Sequence, residues 1–256
     1  MVRGLGIFKK YFEEFSGNYV IIGGTACDLI IEEAGFTPRV TKDIDIILIV
    51  EALTRDFVNL FWQFIRDGNY QHKEKSEDER KYYRFIKPEN YEFPYQIELF
   101  ARNPDLLDLD EETYLTPVPV EEALSSLSAI LLDDDYYKYL IGNSIIENGL
   151  HHAKTEALIC LKAKAYLDIA NRIAKGGLED SKQFRKHKGD IFRLAAMLKG
   201  EDVFELPETI LSDMQEFANA ISGDLPEKAI FKEMGLVNLS PQIVFSQILR
   251  SFQIAL

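Results

Sequence analysis

Tyr19-Val20-Ile21-Ile22-Gly23-Gly24-Thr25, followed one helix-length later by Asp43-Ile44-Asp45-Ile46-Ile47-Leu48, is the stretch on which the reading of this chain turns. Tyr19 to Ile22 is short, apolar and β-branched, which predicts a strand. Gly23-Gly24 stops it, and Thr25 to Ala34 then carries Ala26, Leu29, Ile30 and Ala34 on one side of a predicted helix. Gly35-Phe36-Thr37-Pro38 breaks that helix. Thr41 to Val50, rich in isoleucine, predicts a second strand. Residues two apart on a strand share a face, so Asp43 and Asp45 point one way while Ile44 and Ile46 face the core. Two carboxylates held side by side repel, and a divalent cation offsets the repulsion. Magnesium suits the position, because it takes oxygen ligands and is often held by one or two carboxylates together with substrate phosphates. Gly23-Gly24 ahead of a helix lets backbone N–H groups approach a phosphate, and the helix N-terminus favours its charge. Thr25 adds a hydroxyl donor. Each piece has a plain reading by itself: a turn, an N-cap, a solvated strand face. Their joint order of strand, glycines, helix and acidic strand points to a phosphate and a metal on neighbouring elements.

Outward from this segment, Phe8, Tyr11, Phe12 and Phe15 recur at helical spacing before it. Leu53 to Asp67 predicts a helix closed by Gly68. Lys81 to Ile86 and Tyr91 to Phe100, split by Lys87-Pro88-Glu89-Asn90, predict an antiparallel hairpin. Residues 104–119 read as a proline-containing connection, and Val120 to Leu132 leans towards helix by its leucine spacing. Asn148-Gly149 marks a turn within Ser144 to Leu150. Thr155 to Ala174 is one long helical pattern, Phe184 to Leu198 a second, and Leu206 to Leu256 holds two or three more, broken at Pro207, Pro226 and Pro241. The expectation is an α+β protein: a mixed α/β core over residues 1–150, a small mixed sheet flanked by helices, then a helical region over 151–256.

A chain of 256 residues can bury a sizeable core. Its net charge of −13 argues against broad duplex nucleic-acid binding, which needs a basic face. Two isolated cysteines, Cys27 and Cys160, fit a reducing compartment, and both fall on apolar faces. With no apolar run of membrane-spanning length and none of signal-peptide length near Met1 to Lys10, the expected location is the cytoplasm.

The Gly-Gly-Thr, helix, Asp-Ile-Asp pattern resembles the signature of the DNA polymerase β-type nucleotidyltransferase superfamily. That resemblance implies a small mixed sheet flanked by helices and a third carboxylate on a later strand. Glu98, in Tyr95-Gln96-Ile97-Glu98-Leu99-Phe100, is the candidate, with Ile97 and Leu99 facing the core; Glu92 is the alternative. Leu161-Lys162-Ala163-Lys164-Ala165-Tyr166-Leu167-Asp168 and Lys186-His187-Lys188-Gly189-Asp190-Ile191-Phe192-Arg193-Leu194 resemble the C-terminal part of the AbiEii-type toxins of abortive-infection and toxin–antitoxin systems. Lys162 matches that group's helix lysine and Asp190 the first aspartate of its later motif. Gly189 stands where the group often has arginine, and Arg193 where it has a second aspartate.

The resemblance implies transfer of a nucleoside monophosphate from a nucleoside triphosphate to an acceptor (RNA, protein or small molecule), with a cognate antitoxin as partner. Asp43, Asp45 and Glu98 would hold Mg2+ or Mn2+, with Glu98 also able to take the acceptor's proton. Gly23, Gly24 and Thr25 would meet the phosphates. Lys162 and Lys188 would neutralise developing charge, and Asp190 would lie near the nucleotide. A fold kept for nucleotide sensing or partner binding, without turnover, is the alternative. Lys182, Arg185, Lys186, His187 and Lys188 form a dense basic run, either a solvated helix face or a surface for RNA or the triphosphate. Asp133-Asp134-Asp135 reads as a helix opening. Tyr82-Tyr83 and Tyr136-Tyr137 read as half-buried aromatics, and His151-His152 as a surface loop with no further Cys or His at ligand spacing.

Overall fold

The computed structural model describes residues 2–39, 41–76, 82–100, 116–118, 130–131, 133–176 and 181–256. The connection expected over 104–119 and the helix expected over Val120 to Leu132 therefore lie outside the described residues, apart from 116–118 and 130–131. The protein is α+β, with one mixed sheet flanked by helices. The chain opens with α1 (Leu5–Phe12) and a 3-10 helix (Glu13–Asn18), then β1 (Tyr19–Ile22), α2 (Gly23–Glu33), β2 (Asp43–Leu48), α3 (Arg55–Gly68), β3 (Tyr70–Ser76), β4 (Tyr82–Pro88), β5 (Gln96–Phe100) and β6 (Thr116–Val118). After α4 (Asp134–Gly142), β7 (Ser144–Glu147) and β8 (Leu150–Ala153) come α5 (Thr155–Ala174), α6 (Ser181–Ala195), α7 (Glu208–Ile221), α8 (Ala229–Glu233) and α9 (Pro241–Ser251).

Among the described residues, eight strands are ordered β6-β3-β4-β5-β2-β1-β8-β7. The two strands of the deciding stretch lie together near the middle, β1 antiparallel to β2, with Ile22 opposite Asp45. β2 runs parallel to β5, which places Asp45 directly opposite Glu98. β4 and β5 form the expected antiparallel pair, with Arg84 opposite Glu98. β8 pairs in parallel with β1 through Ile21 and His152. The sheet thus extends to Ala153, and the boundary expected at 150/151 falls inside β8.

The aromatic spacing at the N-terminus has a packing cause. Phe8 and Phe12 of α1 enter one cluster with Tyr19, Phe57, Phe61 and Phe64, tying α1 and α3 to β1. Thr54 caps α3 by accepting from the Phe57 N–H at 3.2 Å. Asp133 does the same for α4 through the Asp135 and Tyr136 amides, as the acidic run predicted. Cys27, Cys160, Tyr83, Tyr136 and Tyr137 are buried. α5 packs on α6 and α7, and Tyr166 stacks on Phe184 with ring centroids 4.0 Å apart. His151 and His152, expected in a surface loop, are instead buried strand residues of β8, because the parallel pairing with β1 draws β8 into the sheet. No helix among the described residues is long and apolar enough to cross a membrane.

Candidate functional site

The site is assembled at the junction of β1 and α2. Ile22 is extended, and Gly23 at φ 66° turns the chain straight into the helix. The glycines are therefore the first residues of α2 rather than a turn ahead of it. Gly23 is required twice over. Its backbone lies in the left-handed region, and a Cβ there would fall 1.8 Å from Asp45 Oδ2. The Asp45 carboxylate thus rests against the opening turn of α2, whose amides have no acceptors within the helix. A Cβ on Gly24 would meet Thr41 Oγ1 at 2.7 Å and an Arg39 guanidinium nitrogen at 3.3 Å. Thr41 is buried beside Gly24.

Asp43 and Asp45 are half-buried on one face of β2 while Ile44 and Ile46 are buried, as the alternation predicted. Burial and the charge of Asp45 raise the Asp43 carboxyl, with Lys186, Arg84 and Arg39 opposing. Glu98 is buried on β5. Its carboxyl is raised well above the ordinary range by burial and then by the charge of Asp45, to which it is hydrogen-bonded; Arg84 opposes the shift. Both Arg84 Nε, at 3.2 Å, and Gln96 Nε2, at 2.7 Å, donate to Glu98 Oε1. The three carboxylates expected as metal ligands therefore do face one region. All are oxygen donors of the kind Mg2+ or Mn2+ takes. Their ligand atoms do not close to within 4.8 Å of one another; among the described residues that distance is met by Glu33, Glu147 and His152 alone.

Two expectations need correction. Thr25 is fully buried, and its hydroxyl donates to the Asp43 carbonyl at 2.5 Å, bracing α2 against β2 rather than facing a phosphate. Lys188 is buried too, but its ammonium donates to the carbonyl and carboxylate of Asp224 at 2.6 and 2.7 Å, in the segment between α7 and α8. The helical period explains this: Lys186, Asp190 and Arg193 share a face of α6 that Lys188 does not. Lys186 is the α6 lysine whose charge acts on Asp43.

Lys162 and Asp190 meet in an ion pair. Lys162 Nζ donates to Asp190 Oδ2 at 2.9 Å, and both residues are buried. Arg39 Nε at 3.3 Å and an Arg193 nitrogen at 3.4 Å also donate to Asp190 Oδ1. Burial alone would raise the Asp190 carboxyl; Lys162 and Arg39 outweigh it and hold it below the usual carboxylate range. Lys162 stays charged for the reciprocal reason. Beside them His187 is pushed down to about 3 by burial and by Lys162, so the ring is neutral.

Arg39, Arg84 and Asp28 escaped the sequence reading, and Lys186 was singled out only as part of the basic run. Asp28 is buried on α2 and accepts the Thr41 N–H at 3.0 Å, pinning the segment that leads into β2. The available signal was helical: Gly24 and Asp28 are four apart, on one face of α2. Arg39 and Arg84 carry no local pattern, because the sheet and the α2–β2 connection bring them in from different elements. In comparisons with known proteins, no family model matches the chain and no curated protein matches it.

Proposed function

We propose that this chain transfers a nucleoside monophosphate from a nucleoside triphosphate to an acceptor, with Mg2+ or Mn2+ held by Asp43 and Asp45. One observation carries the reading. The opening turn of α2 abuts Asp45, and Asp45 lies opposite Glu98 on a parallel neighbour, so phosphate-binding amides and three carboxylates share one place. The positive charges of Lys186, Arg84 and Arg39 around Asp43 suit a polyanionic substrate.

A bound dication would neutralise phosphate charge and orient the in-line displacement. The chain's own groups supply the rest. The α2 amides and Arg39 bind and orient the phosphates. An acceptor hydroxyl oxygen attacks the α-phosphorus, the bond to the bridging oxygen breaks, and pyrophosphate leaves. The hydroxyl proton passes to a carboxylate, the role that the resemblance gives to Glu98. By its resemblance to the AbiEii group, the chain would act as the toxin of a toxin–antitoxin or abortive-infection system in the cytoplasm, with RNA among the acceptors and an antitoxin as partner. The test is incubation with α-labelled triphosphates, Mg2+ and an RNA pool. Label should move to acceptor with release of pyrophosphate. The Asp43→Asn plus Asp45→Asn variant should lose at least about a hundredfold, the scale of removing a charge-stabilising group.

A second reading has its own support. Oε1 of Glu98 already accepts from Arg84 and Gln96, and Arg193 replaces an acidic residue of the motif. Both suit a module that binds nucleotide without turnover. Triphosphate binding with no label transfer to any acceptor in the pool would favour it.

A further inference from the structure

We propose a second metal site, for a zinc-class first-row dication, formed by Glu33, Glu147 and His152 at the far end of α2 from the acidic strand. These three side chains each bring one ligand atom to within 4.8 Å of the others. Glu33 lies on the last turn of α2, Glu147 at the end of β7, and His152 on β8. The placement follows from the hairpin. Asn148 and Gly149 both have positive φ, at 49° and 73°, the two-residue turn that suits a right-twisted hairpin. Ile145 pairs with His152, so Glu147, two residues on, shares the face on which His152 is a diagonal neighbour. The C-terminus of α2 closes that face.

The imidazole distinguishes this cluster from an ordinary acidic patch. His152 is 5% exposed, and its Nδ1 contacts the Ala153 carbonyl at 3.1 Å. A carbonyl only accepts, so Nδ1 carries a hydrogen there and Nε2 is the nitrogen left to ligate. Nε2 makes no hydrogen bond with any described residue. A backbone carbonyl that fixes the tautomer of a buried histidine is the usual outer support of a metal-ligating imidazole. The carboxylates need a cation as well. Glu33 and Glu147 bring carboxylate oxygens within 4.8 Å of each other, and like charges that close repel. Glu33 also stands at the negative end of the helix dipole, where a carboxylate is disfavoured. A dication answers both carboxylates and the negative helix end together.

The donor set selects the metal class. Two carboxylate oxygens and one imidazole nitrogen suit zinc and its neighbours, whereas magnesium and calcium take oxygen alone. Three protein ligands leave a position for water. Glu33 is exposed, so an ion can reach the cluster from solvent through a cleft of about 300 Å3 walled by Leu29, Asn148 and Leu150. Once bound, the ion would clamp the C-terminus of α2 to the hairpin. The N-terminus of the same helix, roughly 16 Å away at 1.5 Å per residue, carries Gly23.

Titration of the full chain with ZnCl2 by calorimetry tests this, with Co2+ absorption reporting an imidazole–carboxylate site. Zinc should bind the wild type, and one equivalent should remain in the Asp43→Asn plus Asp45→Asn variant. Glu33→Gln and Glu147→Gln should each weaken it at least about tenfold, the usual cost of disturbing such a site. Glu33→Gln lies on an exposed helix end and should keep the wild-type circular dichroism and Tm in the absence of metal. No zinc binding, unchanged affinity in both glutamine variants, or loss of the equivalent in the Asp43–Asp45 variant would each overturn the assignment.

Discussion

Replacing Lys162 by Met removes the most deeply buried cation from Asp190. At 2.9 Å the two charges attract by about 6 kcal/mol with an effective dielectric near 20. Desolvation of both groups offsets much of this, so the net worth is far smaller. Losing one partner of a buried pair typically costs about 3–5 kcal/mol, because the other charge is stranded. Here the Asp190 carboxylate keeps Arg39 at 3.3 Å and Arg193 at 3.4 Å. The expected loss for Lys162→Met is accordingly at the lower end, about 2–4 kcal/mol. Asp190→Leu should cost more, roughly 4–5 kcal/mol, because Lys162, 6% exposed, has no route to water, whereas Arg39 is one-third exposed and can turn out. The double variant should then lose at least about 2 kcal/mol less than the sum of the singles. Urea unfolding of the four proteins at pH 7 measures the cycle. The pH dependence adds a second signature. A carboxyl depressed in the folded state stabilises above its unfolded value of 3.8, and that contribution is lost as pH falls through its lower folded value. With Lys162 gone the depression shrinks, so the acid loss should be smaller and should be complete at a higher pH. Single-variant losses under about 1 kcal/mol, or an additive double variant, would refute the picture of one mutually dependent ion cluster.

Gly23→Ala should cost about 1–2 kcal/mol from φ 66° alone; because its methyl would displace the Asp45 carboxylate, Mn2+-triphosphate binding should fall at least tenfold by calorimetry. Burial raises the Asp28 carboxyl to about 6, so its protonated form stabilises the fold below 3.8 and that stability is lost as pH rises through 6. Asp28→Asn keeps an acceptor for the Thr41 amide and should flatten the profile, gaining about 2–3 kcal/mol on wild type between pH 4 and pH 7 in urea titrations; parallel profiles would contradict this. Lys186→Met should weaken triphosphate binding with Tm unchanged, while Lys188→Met, which breaks the contact with Asp224, should lower Tm and leave binding intact.

Much of this was legible because local pattern and tertiary need agree. Tyr19–Ile22 and Thr155–Ala174 match their predicted spans residue for residue, and the inward Ile44 and Ile46 place Asp43 and Asp45 without further information. β3 was missed. Its sequence, Tyr-Gln-His-Lys-Glu-Lys-Ser, has neither an apolar run nor alternation, and it is a strand because β4 and β6 pair with it on either side. His151 and His152 misled for the same reason, since a four-residue strand buried by a partner over a hundred residues away shows no periodicity. Thr25 and Lys188 failed at a finer level. Their residue types suited a phosphate, but which atom a hydroxyl or ammonium reaches depends on the packing of α2 on β2 and on where the segment after α7 passes.

The parallel pairing of Ile21 with His152 also sets a timetable for synthesis. The strand that covers the outer edge of β1 leaves the ribosome roughly 130 residues after it, about 7 to 26 seconds later at ordinary elongation rates. Throughout that interval a fully apolar strand offers unpaired backbone groups to any passing chain. Slow stretches of translation before residue 150 should therefore lower soluble yield, while the same pauses placed after α5 should not.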